Sequence, residues 1–345
     1  MHDLVYYYPE GHQAHAEAGH PERPDRVEVI RSALEDVGWW SQYPHLRPLD
    51  LGEEILTAIH SGTFLATLER LCRRGEHFDM DTYTTPASWE LALDTAGGAA
   101  AVAATVWQRL GKRGFALTRP PGHHATRMNA MGFCLLNNVA LASEYLLQQE
   151  GAKRLAIIDL DLHHGNGTQD IFYRREDVFY ISTHQAPHYP GTGWLEETGA
   201  GAGERTTANI PLPPFSGDRA FLTAMDTVIL PLLDRFKPEM LLVSYGFDPH
   251  WSDPLGHLLL SARAYGELIG ELTSWADEYC QGRIALFLEG GYNLDAARTC
   301  SLAVTAALLD QPCPPLTGKA AGPSPESEGS AWEVIVRQAR ELWAL

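Results

Sequence analysis

The sequence predicts an α/β protein, a mainly parallel sheet with helices on both faces. Three observations carry that expectation. Short apolar runs recur without polar alternation, as strands buried on both faces require, and Leu155–Ile158 within LAIIDLDLHHGNG is the clearest of them. Amphipathic segments of helical length separate these runs. Four runs also end in residue types that bind metals or move protons, namely HH, DxDxHH, FD and GGY. Open α/β sheets bind ligands at that place, beyond the carboxyl ends of their strands.

Leu4–Tyr8 reads as the first strand, and a proline-punctuated loop around His20–Pro24 leads into a helix from Arg26. Ile55–His60 and Thr63–Arg73 read as short helices, and the polar, irregular Glu76–Pro86 as a surface loop. Ser88–Leu110 is a long alanine-rich helix that can pack closely, although its Gly97–Gly98 pair costs helix stability. From Phe115 the alternation is regular. Strands at Phe115–Thr118, Leu155–Ile158, Val178–Ser182, Met240–Val243 and Ile284–Leu288 take turns with helices at Asn137–Gln149, Thr168–Tyr173, Arg219–Phe236, Ser261–Tyr279 and Leu294–Leu309. Pro312 to Ser330, rich in Pro, Gly and Ser, reads as a surface excursion before a last helix, Trp332–Trp343. No linker-like break precedes it, so residues 1–345 read as one domain.

A chain of 345 residues can bury a core without disulfide staples. Its five cysteines are odd in number, scattered and free of any CxxC pair, which suits free thiols in a reducing cytoplasm. No signal-like N-terminus and no long apolar span is seen, so a soluble, untargeted protein is expected, away from membranes. The net charge of −18 argues against nucleic acid as a partner. It favours cationic substrates such as lysine-rich peptides or polyamines.

Side chains repeat every two residues along a strand, which puts Asp159, Asp161 and His163 on one side as the strand runs out. Left unpaired in an apolar interior, they would carry a large desolvation cost. A divalent cation is the simplest answer. Asp161, His163 and Asp248 form a zinc set of three protein ligands that leaves a position open for water. The same donors accept iron, cobalt or manganese. A hydrogen-bonded strand end, or an ordinary turn at FDP, is the plainer reading. His123 and His124, in RPPGHHA, have the titration range for acid–base work, unless they only cap a turn. Asp159 would orient one imidazole and Asn166 the other. A carboxylate raises the pKa of its partner histidine and an amide lacks that charge, so the histidine held by Asn166 is the better neutral base. Tyr292, after two glycines, can donate a hydrogen bond to a developing oxyanion. Gly132, Phe133 and Tyr189 can line a narrow apolar channel, or simply belong to the core.

These residues resemble the histone deacetylase family. The matching motifs are HPERPDR at His20, RPPGHHA at Arg119, GFCLLNN at Gly132, DLDLHHGNG at Asp159, HYPGTG at His188, GFDPHWSDPLG at Gly246 and EGGYNL at Glu289. They span roughly residues 20 to 295 in family order, and RPPGHHA with Asn166 resembles the class II and bacterial branch. The resemblance implies the three-layer arginase–deacetylase fold and a zinc-dependent deacetylase. It implies that Asp161, His163 and Asp248 hold the zinc, that His124 is the general base, and that His123 is its electrostatic partner. Asp159 and Asn166 match the groups behind the histidines, and Tyr292 the tyrosine that polarises the amide carbonyl. Phe133 and Tyr189 match the aromatic walls of an acyl-lysine tunnel, Leu255 its gatekeeper position, and Asp81 the rim carboxylate that grips a substrate backbone amide. It further implies potassium held by Asp159, Ser182 and Thr183 with the backbone of Asp161 and His163. A second monovalent site would use the carbonyls of Phe172, Arg175 and Val178. With leucine at the gatekeeper position, the expected substrates are acylated lysines in proteins or peptides. The alternative is an acetylated polyamine or another small amide. An arginase-like ureohydrolase with two manganese ions and an inactive acyl-lysine-binding module are the remaining readings, and an oligomer stays open.

Overall fold

The computed structural model describes residues 1–345. Seven strands form one sheet: β1 His2–Tyr7, β2 Gly111–Ala116, β3 Leu155–Asp159, β4 Val178–Gln185, β5 Thr207–Leu212, β6 Met240–Tyr245 and β7 Ile284–Leu288. Their order is β1-β2-β7-β6-β3-β4-β5, and every neighbouring pair is parallel. Alternate side chains serve opposite faces. Ala156 and Ile158 of β3 join one apolar layer, while Leu155 and Ile157 join the other. Helices Asp25–Asp36, Ala262–Tyr279, Leu294–Leu309 and Trp332–Trp343 complete the first layer. Helices Ser88–Trp107 and Asn138–Gln149 complete the second. The result is three layers.

From β3 the chain works outward to β4 and β5, whereas from β6 it works the opposite way to β7. The order therefore reverses between β3 and β6, which lie side by side with Asp159 level with Ser244. A crevice opens beyond such a reversal, and ligands bind there.

The structure departs from the sequence expectation in five places. Strand β5 was not expected, because Pro211 interrupts TANIPL; it lies at the sheet edge, where a missing N–H costs no ladder bond. Strand β2 starts at Gly111 rather than Phe115, because Lys112 and Arg113 disguise it. Arg113 is buried, its guanidinium bonded to Asp277 at 2.7 Å and to the Gly282 carbonyl. The helix expected at Arg219–Phe236 widens into a π-turn at Met225–Ile229, ahead of Pro231, whose ring and missing N–H disturb the regular ladder. The loop Glu76–Pro86 is irregular, yet its Thr82, Tyr83 and Thr84 are buried. Finally, the segment 312–330 runs over the surface as expected but is also tied to the body of the fold. Its Ala320 and Gly322 carbonyls accept from His250 Nε2 and Trp251 Nε1, each at 3.1 Å. Glu328 accepts the free N–H groups of Gly217, Arg219 and Ala220 at a helix start.

The Gly97–Gly98 pair also finds its reason. The chain at Leu49 crosses the helix so closely that a Cβ on Gly97 would lie 2.1 Å from the Leu49 carbonyl oxygen. Gly97→Ala is expected to destabilise the protein by at least about 2 kcal/mol, although alanine is the better helix former. Gly270→Ala, in helix Ala262–Tyr279 with nothing within 4 Å of the added carbon, is expected to be neutral or to stabilise by up to about 1 kcal/mol. Urea titration of both variants checks the pair.

Candidate active site

Four strand ends meet at the reversal. As the chain leaves β3 it turns on its own carboxylates: Asp161 N donates to Asp159 Oδ1 at 3.2 Å and His163 N to Asp161 Oδ1 at 2.9 Å. The end of β6 supplies Asp248, whose Oδ1 accepts from Leu162 N at 3.2 Å. The turn after β7 supplies Gly290 N, which donates to Asp161 Oδ2 at 2.8 Å. His163 Nδ1 then lies 3.2 Å from Asp161 Oδ1 and 3.1 Å from Asp248 Oδ2. One donor atom from each of the three falls within 4.8 Å of the others.

Both carboxylates are buried, which disfavours two negative charges side by side. Burial, and then the Asp161 charge, push Asp248 up to about 7. Asp161 stays low against its own burial because His123 and His163 face it. Burial works against a charged His163, but its bonds to Asp161 and Asp248 outweigh it and push the imidazole up to about 9. In this arrangement a proton on His163 offsets one of the two carboxylate charges. A divalent cation would do so better, because two carboxylates and an imidazole turned to one point are a complete donor face. The residues fit a metal.

The loop after β2 carries the paired histidines, with ring centroids 4.1 Å apart. His123 Nδ1 lies 3.1 Å from Asp159 Oδ2, which also accepts from Tyr180 Oη at 3.0 Å. His124 Nδ1 lies 2.8 Å from Asn166 Oδ1, and its ring is 5.8 Å from that of His163. The partners set the charges. Burial opposes charge on His123, yet Asp159 and Asp161 outweigh it and push the ring up to about 10. Burial, and then the charges of His123 and His163, hold His124 well below the usual imidazole range. The two adjacent rings are thus pushed in opposite directions, His123 toward the charged form and His124 toward the neutral one.

Tyr292 lies on the turn after β7, near enough for the charges of Asp248 and Asp161 to bear on its phenol. Its phenol is raised well above the ordinary value by burial, against the pull of Arg26, so it stays a proton donor. Its ring meets Phe133 edge-on at 5.7 Å. Tyr189 packs edge-on against His124 at 5.2 Å, and Gly132, at φ 55°, lies where a Cβ would meet the His124 ring at 2.4 Å. Leu255 is half-buried, its carbonyl accepting from His188 Nε2 at 2.9 Å, and the His188 ring stacks on His163 at 5.2 Å. Phe133, Tyr189, Gly132 and Leu255 are thus gathered round the centre. Asp81 is exposed; burial and then Asp79 raise its carboxyl, and both aspartates bear on the Tyr189 phenol.

Ser182 sits level with Asp159 in the sheet and bonds to His184 Nδ1 at 2.9 Å, while the buried Thr183 hydroxyl has no partner. Between Asp161 and His164 the carbonyls alternate. Those of Leu162 and His164 accept backbone N–H groups at 2.8 Å, and those of Asp161 and His163 accept none. Phe172, Arg175 and Val178 bracket the turn into β4, where the Phe172 carbonyl accepts Arg175 N at 2.9 Å and the Arg175 carbonyl accepts Thr206 Oγ1 at 2.9 Å.

Sequence reasoning assigned no role to a set of buried charges behind the centre. Arg26 donates to the Gly291 carbonyl at 2.7 Å and to the Glu289 carbonyl, and its guanidinium carbon lies 4.9 Å from the centre of the Tyr292 ring. Glu22 pairs with Arg26 at 3.1 Å and Arg119 at 2.8 Å. Glu289 accepts Gly122 N and His123 N with one oxygen and Ser244 Oγ with the other, which fixes the histidine loop to β6 and β7. Asp253 accepts Tyr292 N at 2.7 Å. HPERPDR, EGGYNL and GFDPHWSDPLG contain all of these except Arg119, which opens RPPGHHA, so the signal was charged residues in predicted turns beside apolar runs.

The match to known proteins is extensive. The histone deacetylase domain model matches residues 20–308. A protein of Archaeoglobus fulgidus named "Probable deacetylase" is 41% identical over 81% of this chain and 78% of its own length. The "Histone deacetylase-like amidohydrolase" of Pseudomonas aeruginosa is 35% identical over 85% of this chain and 77% of its own. The crystal structure of the HDA15 HD domain superimposes with a TM-score of 0.89 at 33% identity, covering 99% of this chain and 94% of that one. The three layers are therefore those of the arginase–deacetylase fold, and the chain belongs to the histone deacetylase family of hydrolases.

Proposed function

We propose that this protein is a zinc-dependent deacylase that removes acetyl or other short acyl groups from lysine side chains of proteins or peptides. The observation that carries the reading is the unequal histidine pair beside the Asp161–His163–Asp248 donor face, with Tyr292 on the neighbouring turn after β7. A zinc ion held by those three residues would supply Lewis-acid polarisation of the acyl carbonyl and acidify a bound water. His124, neutral and held by Asn166, takes the proton from the attacking water and passes it to the leaving amine. His123, charged and held by Asp159, stabilises negative charge beside it. Tyr292 donates its phenolic hydrogen to the oxyanion. Phe133, Tyr189 and Gly132 form the apolar walls for a lysine stem, and Asp81 at the lip accepts from a substrate backbone amide. Asp159, Ser182 and Thr183, with the free carbonyls of Asp161 and His163, are read as a potassium site. Phe172, Arg175 and Val178 are read as a second monovalent site.

Leu255 favours acyl-lysine over polyamine, because it offers no charge to an internal ammonium. The acetylpolyamine reading keeps the same chemistry. We read residues 1–345 as one catalytic domain of a cytoplasmic protein; no helix is long and apolar enough to cross a membrane.

With zinc-loaded protein, an acetyl-lysine peptide is expected to be turned over faster than an acetylated polyamine. Tyr292→Phe is expected to lower kcat about 100- to 1,000-fold with little change in KM, as for the loss of one oxyanion donor. Polyamine turnover alone would transfer the assignment to the small-amide reading. Metal analysis is expected to find one zinc per chain, removed by chelation with loss of turnover and a lower Tm; two metals per chain would favour the ureohydrolase reading. Asn166→Asp places a carboxylate beside His124, raises its pKa and moves the acidic limb of kcat/KM to higher pH. A pH–rate profile of that variant lying on the wild-type curve would remove His124 from the role of base.

A further inference from the structure

We propose that Asp253 is a positioning residue that sets Tyr292 and the Leu255 wall as one unit, an inference that rests on the role given to Tyr292 above. Asp253 touches none of the reacting groups, yet it is only 6% exposed and fully engaged. Its Oδ2 accepts from Tyr292 N at 2.7 Å and Asn293 N at 3.1 Å, while its Oδ1 accepts from Leu255 N at 3.0 Å. These donors belong to two different loops, one after β7 and one after β6. A second link, from Asn293 Nδ2 to the Ser252 carbonyl at 2.9 Å, doubles the join. The Asn293 side chain in turn caps helix Leu294–Leu309 through Ala296 N at 3.1 Å, which anchors the joined loops to the body of the fold.

The join continues round the centre. The Leu255 carbonyl accepts from His188 Nε2 at 2.9 Å, and His188 stacks on His163 at 5.2 Å. Tyr189, the next residue, packs on His124. A belt thus runs from the backbone of the oxyanion donor through Asp253 and Leu255 to the opposite wall. Three N–H groups converge on one buried carboxylate, and a carboxylate alone among side chains offers acceptors to all three with no donor in the way. Removing it leaves three partly buried N–H groups without their acceptor, and both loops relax together.

The test uses zinc-loaded wild type, Asp253→Ala, Asp253→Asn, Tyr292→Phe and the Asp253→Ala/Tyr292→Phe double variant. Hydrogen exchange is read over residues 250–256 and 289–293, with steady-state kinetics on an acetyl-lysine peptide. In Asp253→Ala, exchange is expected to quicken at least about tenfold in both segments while the zinc content holds. Its kcat is expected to fall about 10- to 100-fold, as for a misplaced catalytic group. Added to Tyr292→Phe, the same change is expected to cost less than about threefold, because the group it positions is already gone. Asp253→Asn keeps one acceptor oxygen and should lie between; it decides the matter if the alanine variant does not fold. Faster exchange confined to 250–256, or kinetic losses that multiply, would overturn the proposal. Should the wild type turn over neither acyl substrate, the deacylase reading falls, while the exchange result still decides whether Asp253 joins the loops.

Discussion

The structure is organised by the need to keep negative charge buried. Asp159, Asp161, Asp248, Glu289 and Glu22 are all at most 1% exposed. An isolated ionised carboxylate in such a place is strongly disfavoured, so each has been given cations or N–H groups. Asp161 and Asp248 face His163; Asp159 faces His123; Glu289 takes two backbone N–H groups and a hydroxyl; Glu22 lies between Arg26 and Arg119. Burial opposes a charged Glu22, yet Arg119 and Arg26 hold it down at about 2. The Asp161–His163–Asp248 cluster is thus one member of a larger interior of partnered carboxylates, and the loops beyond the strands take their paths from it.

The same economy separates two neighbouring histidines. His123 and His124 are adjacent in sequence and equally buried, but one has an aspartate behind it and the other an asparagine. Carboxylate charge outweighs burial at His123 and favours its charged form, whereas at His124 burial has no such opponent and favours the neutral form. Because like charges at this spacing repel, the cation also helps to keep its neighbour neutral.

Much of this was legible in the sequence. Doubly buried strands are continuously apolar, so β3, β6 and β7 were visible, and with them the places where Asp161, His163, Asp248 and Tyr292 emerge. That Asp159 would stand behind one of the two imidazoles and Asn166 behind the other followed from residue types, whereas which partner backs which ring is read from the structure. Illegible were β5, whose proline is harmless only at an edge, and the start of β2, whose Arg113 is buried by partners distant in sequence. The buried arginines looked like ordinary charged turns for the same reason. Nothing local to Arg119 announces Glu22, and although Glu22 lies four residues before Arg26, the Glu289 and Gly291 carbonyls that bury Arg26 are far along the chain. The tie at 312–330 was hidden because composition reports a lack of regular structure, whereas the ordering comes from His250, Trp251 and a helix start elsewhere.

The reversal of strand order between β3 and β6 bears on how the chain folds. Asp159 and Ser244 are partners in the sheet although two other strands and several helices are threaded between them in sequence. Closing so long a loop costs entropy before any contact repays it. The outer half, β3 to β5, can pair locally, but the donor face exists only when β6 inserts between it and β7. During refolding, helical and strand content should return ahead of the site. The donor face then marks the completion of the sheet rather than its beginning.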